Sequence, residues 1–499
     1  MTAPVLLVLG TASSVGKSVL VTALCRIYRQ DGVRVVPFKA QNMSNNADVT
    51  ADGLEIGRAQ SEQAAAAGLP PAVEMNPVLL KPQGDRTSQV VVDGKPSGTL
   101  HSRDFIARKR DLWPAVERAL GSLRNEYELV VAEGAGSTAE PNLREGDIVN
   151  IGLAVHAGAT VILVGDIDRG GVFAHLLGTM ELLSPSERAL VAGFVISRFR
   201  GDPGLLAPAI DDLEQRTGAP VIGVVPWLDD LRIADEDAVA LERADERPAT
   251  AAGDAPEVDI AVIRFPRIAN FDDFDPFVDE PGVRLRYVSR PEDLGSPQLV
   301  ILPGTKATIA DLAATRVAGL ADAVLDAHAS GASILGICGG FQMLGERILD
   351  PAGVESDAGS EADGLGLLPL TTTFSAEKTT VRSAGRVTAS AGAWSGVAGA
   401  SAAGYEIHMG ASETTDDTVT PLLSLDGHDD GAISVDGRVA GSYLHGLFHN
   451  DQLRHALLAG LGRSETARRS FDREREFDRL AQHVRSHLDM EQLNRKLGR

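Results

Sequence analysis

Short apolar runs alternate with stretches of helical period through the first half of the chain. Val5–Leu9 reads as a buried first strand and Lys17–Gln30 as a helix. Val33–Phe38, Leu129–Ala132, Thr160–Val164, Val191–Ile196 and Val221–Val225 read as further strands. Strands spaced by helices predict parallel βαβ units and a doubly wound α/β sheet. The residues that matter in such a sheet lie at the carboxyl ends of its strands.

A second α/β series follows at Val258–Phe265, Val283–Val288, Leu299–Leu302 and Ser333–Ile337. Between the series, the acidic, Ala/Pro-rich stretch after Asp235 has no sustained apolar face and reads as a linker. Asp350–Asp363 is expected to be a polar surface loop, and Ser390–Ala403 a Ser/Ala/Gly-rich insert in a β-rich region. Ser464–Leu497 is a charged amphipathic helical tail. The expected division is 1–235, a linker at 236–256, a second α/β domain at 257–453 and a helical tail at 454–499.

The 499 residues suffice for about three domains at ~150 residues each. Lys and Arg number 47 against 69 Asp and Glu, a net charge of −22. So acidic a chain repels phosphate backbones and anionic lipid, which disfavours nucleic acid and membrane surfaces as partners. Aromatics at 4% add no stacking surface. No apolar run approaches the ~18 residues of a membrane span. The only cysteines, Cys25 and Cys338, suit a reducing cytoplasm rather than a disulfide scaffold. No signal of oligomeric state is evident.

Gly10-Thr11-Ala12-Ser13-Ser14-Val15-Gly16-Lys17-Ser18 joins the first strand to the first helix. Backbone N–H groups and a helix N-terminus there cradle phosphate, Lys17 neutralises β/γ charge, and the Ser18 hydroxyl can ligate Mg²⁺. Five residues separate Gly10 from Gly16 instead of the usual four, and Thr11 takes the usual first-glycine place. Glu133, in Glu133-Gly134-Ala135-Gly136, ends a strand and is a second candidate Mg²⁺ ligand. Lys39 ends the second strand, within reach of a γ-phosphate or a substrate carboxylate. Asp166 and Asp168 are candidates for a second Mg²⁺ or for support of the loop.

Gly336-Ile337-Cys338-Gly339-Gly340 has the form of a nucleophile elbow, strand to tight turn to helix. A helix N-terminus favours thiolate at Cys338, and the N–H groups around Gly339 are oxyanion-hole candidates. Cys25 falls on the apolar face of its helix and is expected to be structural. A thiol nucleophile needs a base. His445, just after a short strand and bounded by Gly446, is favoured over His408, which shares a strand face with Glu406.

The phosphate loop and EGAGS resemble dethiobiotin synthetase and its relatives, which activate carboxylates with ATP. Gly336–Gly345 and Tyr443–Phe448 resemble class I glutamine amidotransferase domains, which imply Cys338 as nucleophile and His445 as proton shuttle. The usual companion acid, two residues after the histidine, is here Leu447. Either another group orients His445 or the site works as a dyad.

Together with KAQNMSNN, EMNPVLLKP, GDIDRGGVFA, LPGTKATIADL and GYEIHMG, the order of blocks resembles the cobyric acid synthase family over nearly the whole chain. The resemblance implies a P-loop domain followed by an amidotransferase domain. It implies ATP with Mg²⁺ as cofactors, and glutamine and a corrinoid as substrates. The implied reaction is amidation of the b, d, e and g side-chain carboxylates of adenosylcobyrinic acid a,c-diamide. An anionic substrate on an acidic chain calls for a basic pocket, expected to involve some of Lys39, Lys81, Arg144 and Arg169. Other readings are a related amidoligase of a,c-diamide synthase type and a MinD-like ATPase binding module. The latter leaves Cys338 and His445 without work and usually carries an early loop lysine, which Thr11–Ser14 lacks.

Overall fold

A computed structural model describes residues 2–84, 86–229, 231, 256–278, 280–464 and 472–499. The first sheet has the spatial order Val221–Pro226, Val191–Phe199, Thr160–Asp166, Val5–Gly10, Leu129–Glu133, Val35–Phe38. Every neighbouring pair is parallel. Val5–Gly10 is buried at all six positions, because helices cover both faces of the sheet. The chain leaves this central strand toward one edge of the sheet and later returns to fill the other. A crevice therefore opens at its carboxyl end, where the phosphate loop lies.

The second sheet runs Val283–Val288, Val258–Ile263, Leu299–Leu302, Ser333–Ile337, Val439–Ser442, Ala432–Ser434, Val419–Thr420. The first five strands are parallel, and the last two pair antiparallel. Ser333–Ile337 and Val439–Ser442 are direct neighbours. Cys338 follows one and His445 lies just past the other, so residues far apart in sequence leave the sheet at the same edge.

A long antiparallel pair, Leu370–Val387 with Ser401–Thr414, extends from this half toward the first. Tyr405 and Ile407 on it join Ala47, Val49, Leu79 and Val91 in one buried cluster. The latter four belong to small sheets, Ala47–Val49 with Glu55–Gly57 and Gln41–Met43 with three strands between 78 and 101. None of the strands in these small sheets was anticipated.

One other expectation changes, and two segments gain detail. Asp350–Asp363 is not all loop, since Ser360–Asp363 pairs antiparallel with Arg347–Asp350. The Ser390–Ala403 insert is packed, with Trp394, Val397 and Ala400 buried in the core. The tail packs on the first half of the chain. Its helix Arg473–Arg485 lays Phe477, Leu480, Ala481 and Val484 against Val21, Leu24 and Cys25 of the first helix. Each large apolar side chain buried there contributes about 1.5–3 kcal/mol. Arg26 closes the contact with Glu474 and Asp478, each at 2.7 Å. Within the expected linker 236–256 only Pro256 is described, and residues 465–471 of the tail likewise lie outside the described residues. Among the described residues no helix is long and apolar enough to cross a membrane.

Candidate active site

The phosphate loop is held open by its own lysine. Lys17 Nζ donates to the carbonyls of Ala12 at 2.9 Å and Gly136 at 3.0 Å. Gly16 caps the helix in the left-handed region, φ 96°, a conformation glycine adopts without strain. The Ser18 hydroxyl donates to Glu133 Oε1 at 2.8 Å, Lys39 Nζ lies 2.9 Å from the same oxygen, and Gln63 donates to Oε2 at 2.6 Å. Glu133 has no exposed surface. Burial alone would raise its pKa, but Lys39 and these hydrogen bonds hold it below the usual carboxylate range. A charged carboxylate beside a serine hydroxyl at a phosphate loop is a hard oxygen donor set, which fits Mg²⁺.

Neighbouring blocks shape these groups. Asn150 bonds both backbone groups of Ala135, fixing the loop after Glu133. Asn76 donates to the Lys39 carbonyl at 3.0 Å. Thr11 bonds Val164 through its backbone, its side-chain oxygen makes no hydrogen bond, and it is not among the residues lining the adjoining cavity. Asp166 is paired with Arg198 at 2.8 Å and Asp168 with Arg200 at 3.4 Å. The cavity over the loop measures about 1130 Å³. Of the expected cations it is lined by Lys39 and Arg144, joined by Lys109, Arg198 and Arg200. Arg169 is not on its wall, and Lys81 lies in a different pocket.

That second pocket contains Cys338. The cysteine sits at φ 50°, ψ −108°, a strained conformation for a non-glycine residue. The turn is crowded: a Cβ on Gly336 would lie 2.6 Å from the Phe341 backbone nitrogen. Gly339 begins the helix that follows, and a Cβ there would lie 3.1 Å from the Thr305 nitrogen. The Leu302–Lys306 block thus closes over the elbow.

His445 faces the thiol, and the acid behind it is Asp273. His445 Nδ1 lies 2.7 Å from Asp273 Oδ2, and Gly446 N donates to Oδ1 at 2.8 Å. Burial pulls the imidazole pKa down, but the Asp273 carboxylate and the bond to Cys338 outweigh it and push the pKa up to about 10. Tyr405 stacks on the ring with centroids 5.3 Å apart. His408 also lines the pocket, stacked on Tyr443 at 3.9 Å with Nδ1 at 2.8 Å from the Gly410 carbonyl. Its Nε2 is 3.7 Å from Glu406. Asp273 was missed in the sequence, where the companion acid was sought two residues after the histidine. The available signal was Phe271-Asp272-Asp273-Phe274, consecutive acids framed by two phenylalanines that pack in the core.

Both halves build the walls of the thiol pocket. Asn45 and Lys81 line it alongside Lys306, Glu355 and Lys378. Lys81 and Lys378 both pair with buried Glu55. Burial would raise the Glu55 pKa, but the two lysines take it down to about 2. Beside the apolar cluster around Tyr405 and Ile407, the joint is polar. Ala47 N donates to Asn270 Oδ1 at 2.9 Å and Asn270 N to Asn46 Oδ1 at 2.7 Å. Arg58 Nε lies 2.8 Å from Asp272, a charge pair outside hydrogen-bond angles. Segment 41–46 reaches both sites, since Gln41 and Asn42 line the large cavity and Asn45 lines the thiol pocket.

Residues 6–240 match the CobQ/CobB/MinD/ParA nucleotide binding domain family. Residues 259–453 match the CobB/CobQ-like glutamine amidotransferase domain family. The chain is 54% identical to a cobyric acid synthase of Roseiflexus castenholzii, covering 99% of both chains. It is 51% identical to one of Sorangium cellulosum, covering 100% of this chain and 99% of the other. A third, of Chloroflexus aggregans, is 52% identical over 97% of this chain and 96% of its own.

Proposed function

Because the chain belongs to the cobyric acid synthase family, and is therefore a glutamine-hydrolysing carbon–nitrogen ligase, we propose that it amidates the b, d, e and g carboxylates of adenosylcobyrinic acid a,c-diamide. Glutamine supplies the nitrogen and ATP the driving force. The observation that carries this reading is the segment 41–46, which lines the nucleotide cavity at one end and the thiol pocket at the other. Two chemistries so joined need not release ammonia or an activated acid to water.

In the thiol pocket the sulfur of Cys338 attacks the glutamine carboxamide carbon. The elbow N–H groups at Gly339 stabilise the oxyanion. His445 delivers its proton to the departing nitrogen, releasing ammonia and leaving a thioester. It then takes a proton from the water that hydrolyses the thioester to glutamate. Asp273 acts as a positioning residue. It accepts a hydrogen bond from Nδ1–H and leaves Nε2 directed at the thiol.

In the large cavity, Gly16 and the neighbouring loop backbone cradle the phosphates and Lys17 neutralises β/γ charge. Lys39 orients the substrate carboxylate toward the γ-phosphorus. The carboxylate oxygen attacks there and ADP leaves. Ammonia then adds to the acyl carbon of the resulting acyl phosphate and inorganic phosphate departs. Mg²⁺ would be held by Ser18 and Glu133 and would supply charge neutralisation for the phosphates.

The test is incubation with the corrinoid diamide, glutamine and ATP–Mg²⁺, followed by mass spectrometry. Successive replacement of OH by NH₂ at each free propionate is the expected series. Glutamine hydrolysis and ATP turnover without any corrinoid mass change would overturn the substrate assignment.

A further inference from the structure

The large cavity has a wall from the far end of the chain. Its lining includes Leu480, His483 and Val484 of the helix Arg473–Arg485. That helix lies outside both matched segments, 6–240 and 259–453. It is pinned to the end of the strand Val221–Pro226. His483 Nε2 is 3.0 Å from the Pro226 carbonyl, and Arg479 donates to the Asp229 carbonyl at 3.1 Å.

The sheet order sets which part of a nucleotide meets this wall. The phosphate loop follows the central strand Val5–Gly10. Glu133 and Lys39 end the two strands on one side of it, so the terminal phosphate belongs there. The nucleoside must then extend the other way, over Val191–Phe199 and Val221–Pro226. On that side Trp227 and Leu228 also line the cavity. The guanidinium carbons of Arg198 and Arg200 lie 5.5 and 4.4 Å from the Trp227 ring centroid, and both cations are paired with aspartates. An apolar, aromatic recess with its charges compensated suits an uncharged heteroaromatic ring and does not suit a polycarboxylate.

We propose that the C-terminal helix is part of the nucleotide site, with Leu480, His483 and Val484 walling the recess that takes the base of ATP. This rests on the nucleotide reading of the cavity. The tail therefore does more than stabilise the domain it packs on. It finishes the binding site after the amidotransferase half has been made, so a chain lacking it binds phosphates but holds the base poorly.

The experiment compares binding of ATP–Mg²⁺ and inorganic tripolyphosphate–Mg²⁺ to the full-length protein by calorimetry. His483→Ala should weaken ATP about tenfold, the scale of one lost packed and hydrogen-bonded ring, and leave tripolyphosphate within about twofold. Val484→Ala reads the same wall if His483→Ala fails to fold. Gln482→Ala, exposed on the same helix, should change neither ligand. Unchanged ATP binding, or equal weakening of both ligands, overturns the proposal. If the unaltered protein binds neither ligand, it is the nucleotide reading itself that fails.

Discussion

Replacing Asp273 by Asn would keep the shape of the side chain and reverse what it does. Gly446 N–H donates to Oδ1 at 2.8 Å, so the amide oxygen of Asn takes that position. The amide nitrogen then faces His445 Nδ1, where the carboxylate oxygen stood at 2.7 Å. An NH₂ can only donate, so Nδ1 must accept and the imidazole proton moves to Nε2. That nitrogen faces Cys338 and can no longer take its proton. An enforced wrong tautomer costs about 10⁴ in kcat in a serine triad, and general-base catalysis as a whole is worth about 10²–10⁴. We expect glutamine-dependent synthesis to fall by about 10²–10⁴-fold while ammonia-dependent synthesis stays within about threefold. Both rates are read by phosphate release with saturating corrinoid. Retention of the glutamine-dependent rate would refute the positioning role. Equal loss with both nitrogen donors would show that Asp273 holds the fold and not the ring.

Cys338→Ala should abolish glutamine-dependent synthesis and spare the ammonia-dependent rate; loss of both counts against two separate sites. Lys17→Ala and Glu133→Gln should stop synthesis with either donor yet leave thiol labelling of Cys338 by iodoacetamide intact, and turnover surviving in both would remove the phosphate-site assignment. The raised His445 pKa makes stability pH-dependent: the contribution is full below about 6.5, erodes as pH rises and is gone above about 10, so the melting-temperature gap between native protein and Asp273→Asn should narrow over that window. A gap flat across it would contradict the charged imidazole. Arg58→Ala strands Asp272 without its partner and should cost roughly 3–5 kcal/mol in urea unfolding at pH 8. Burial already lifts the Asp272 pKa to about 6 against the pull of Arg58, so the loss should shrink in acid as the carboxyl protonates; a pH-independent loss would point to packing instead.

The parallel strands were legible because buried strands leave short apolar runs with glycines at their carboxyl ends, as at Val5–Gly10 and Ser333–Ile337. The phosphate loop and the thiol elbow were legible for a related reason, since each packs its chemistry into consecutive residues. Asp273 was not, because its link to His445 is made only when two loops meet above the sheet edge. The tail showed its face through Phe477, Leu480, Ala481 and Val484, but periodicity names a face and not the helix that covers it. Lys81 misled for the converse reason. A lysine in a run of apolar residues looks like an anion ligand, whereas here Glu55 neutralises it in the wall of the other pocket.

The seating of His445 explains why the joint between the two halves adds ion pairs and amide bonds to its apolar cluster. Its ring lies between Asp273 and Tyr405, and neither is held by the amidotransferase half alone. Tyr405 packs into the cluster with Ala47, Val49, Leu79 and Val91. Asp272, adjacent to Asp273, is neutralised by Arg58 at the start of the helix Arg58–Ala67. The same helix carries Gln63, which donates to Glu133. His445 is therefore braced by an element that also touches the carboxylate beside the phosphate loop. An apolar joint would hold the halves together equally well, but it would tolerate sliding between them. Ion pairs and amide bonds such as those of Asn270 with Asn46 and Ala47 fix register, because each is lost on a small displacement and leaves a buried polar group unpaired. A joint of this kind ties the geometry of the thiol pocket to that of the synthetase half.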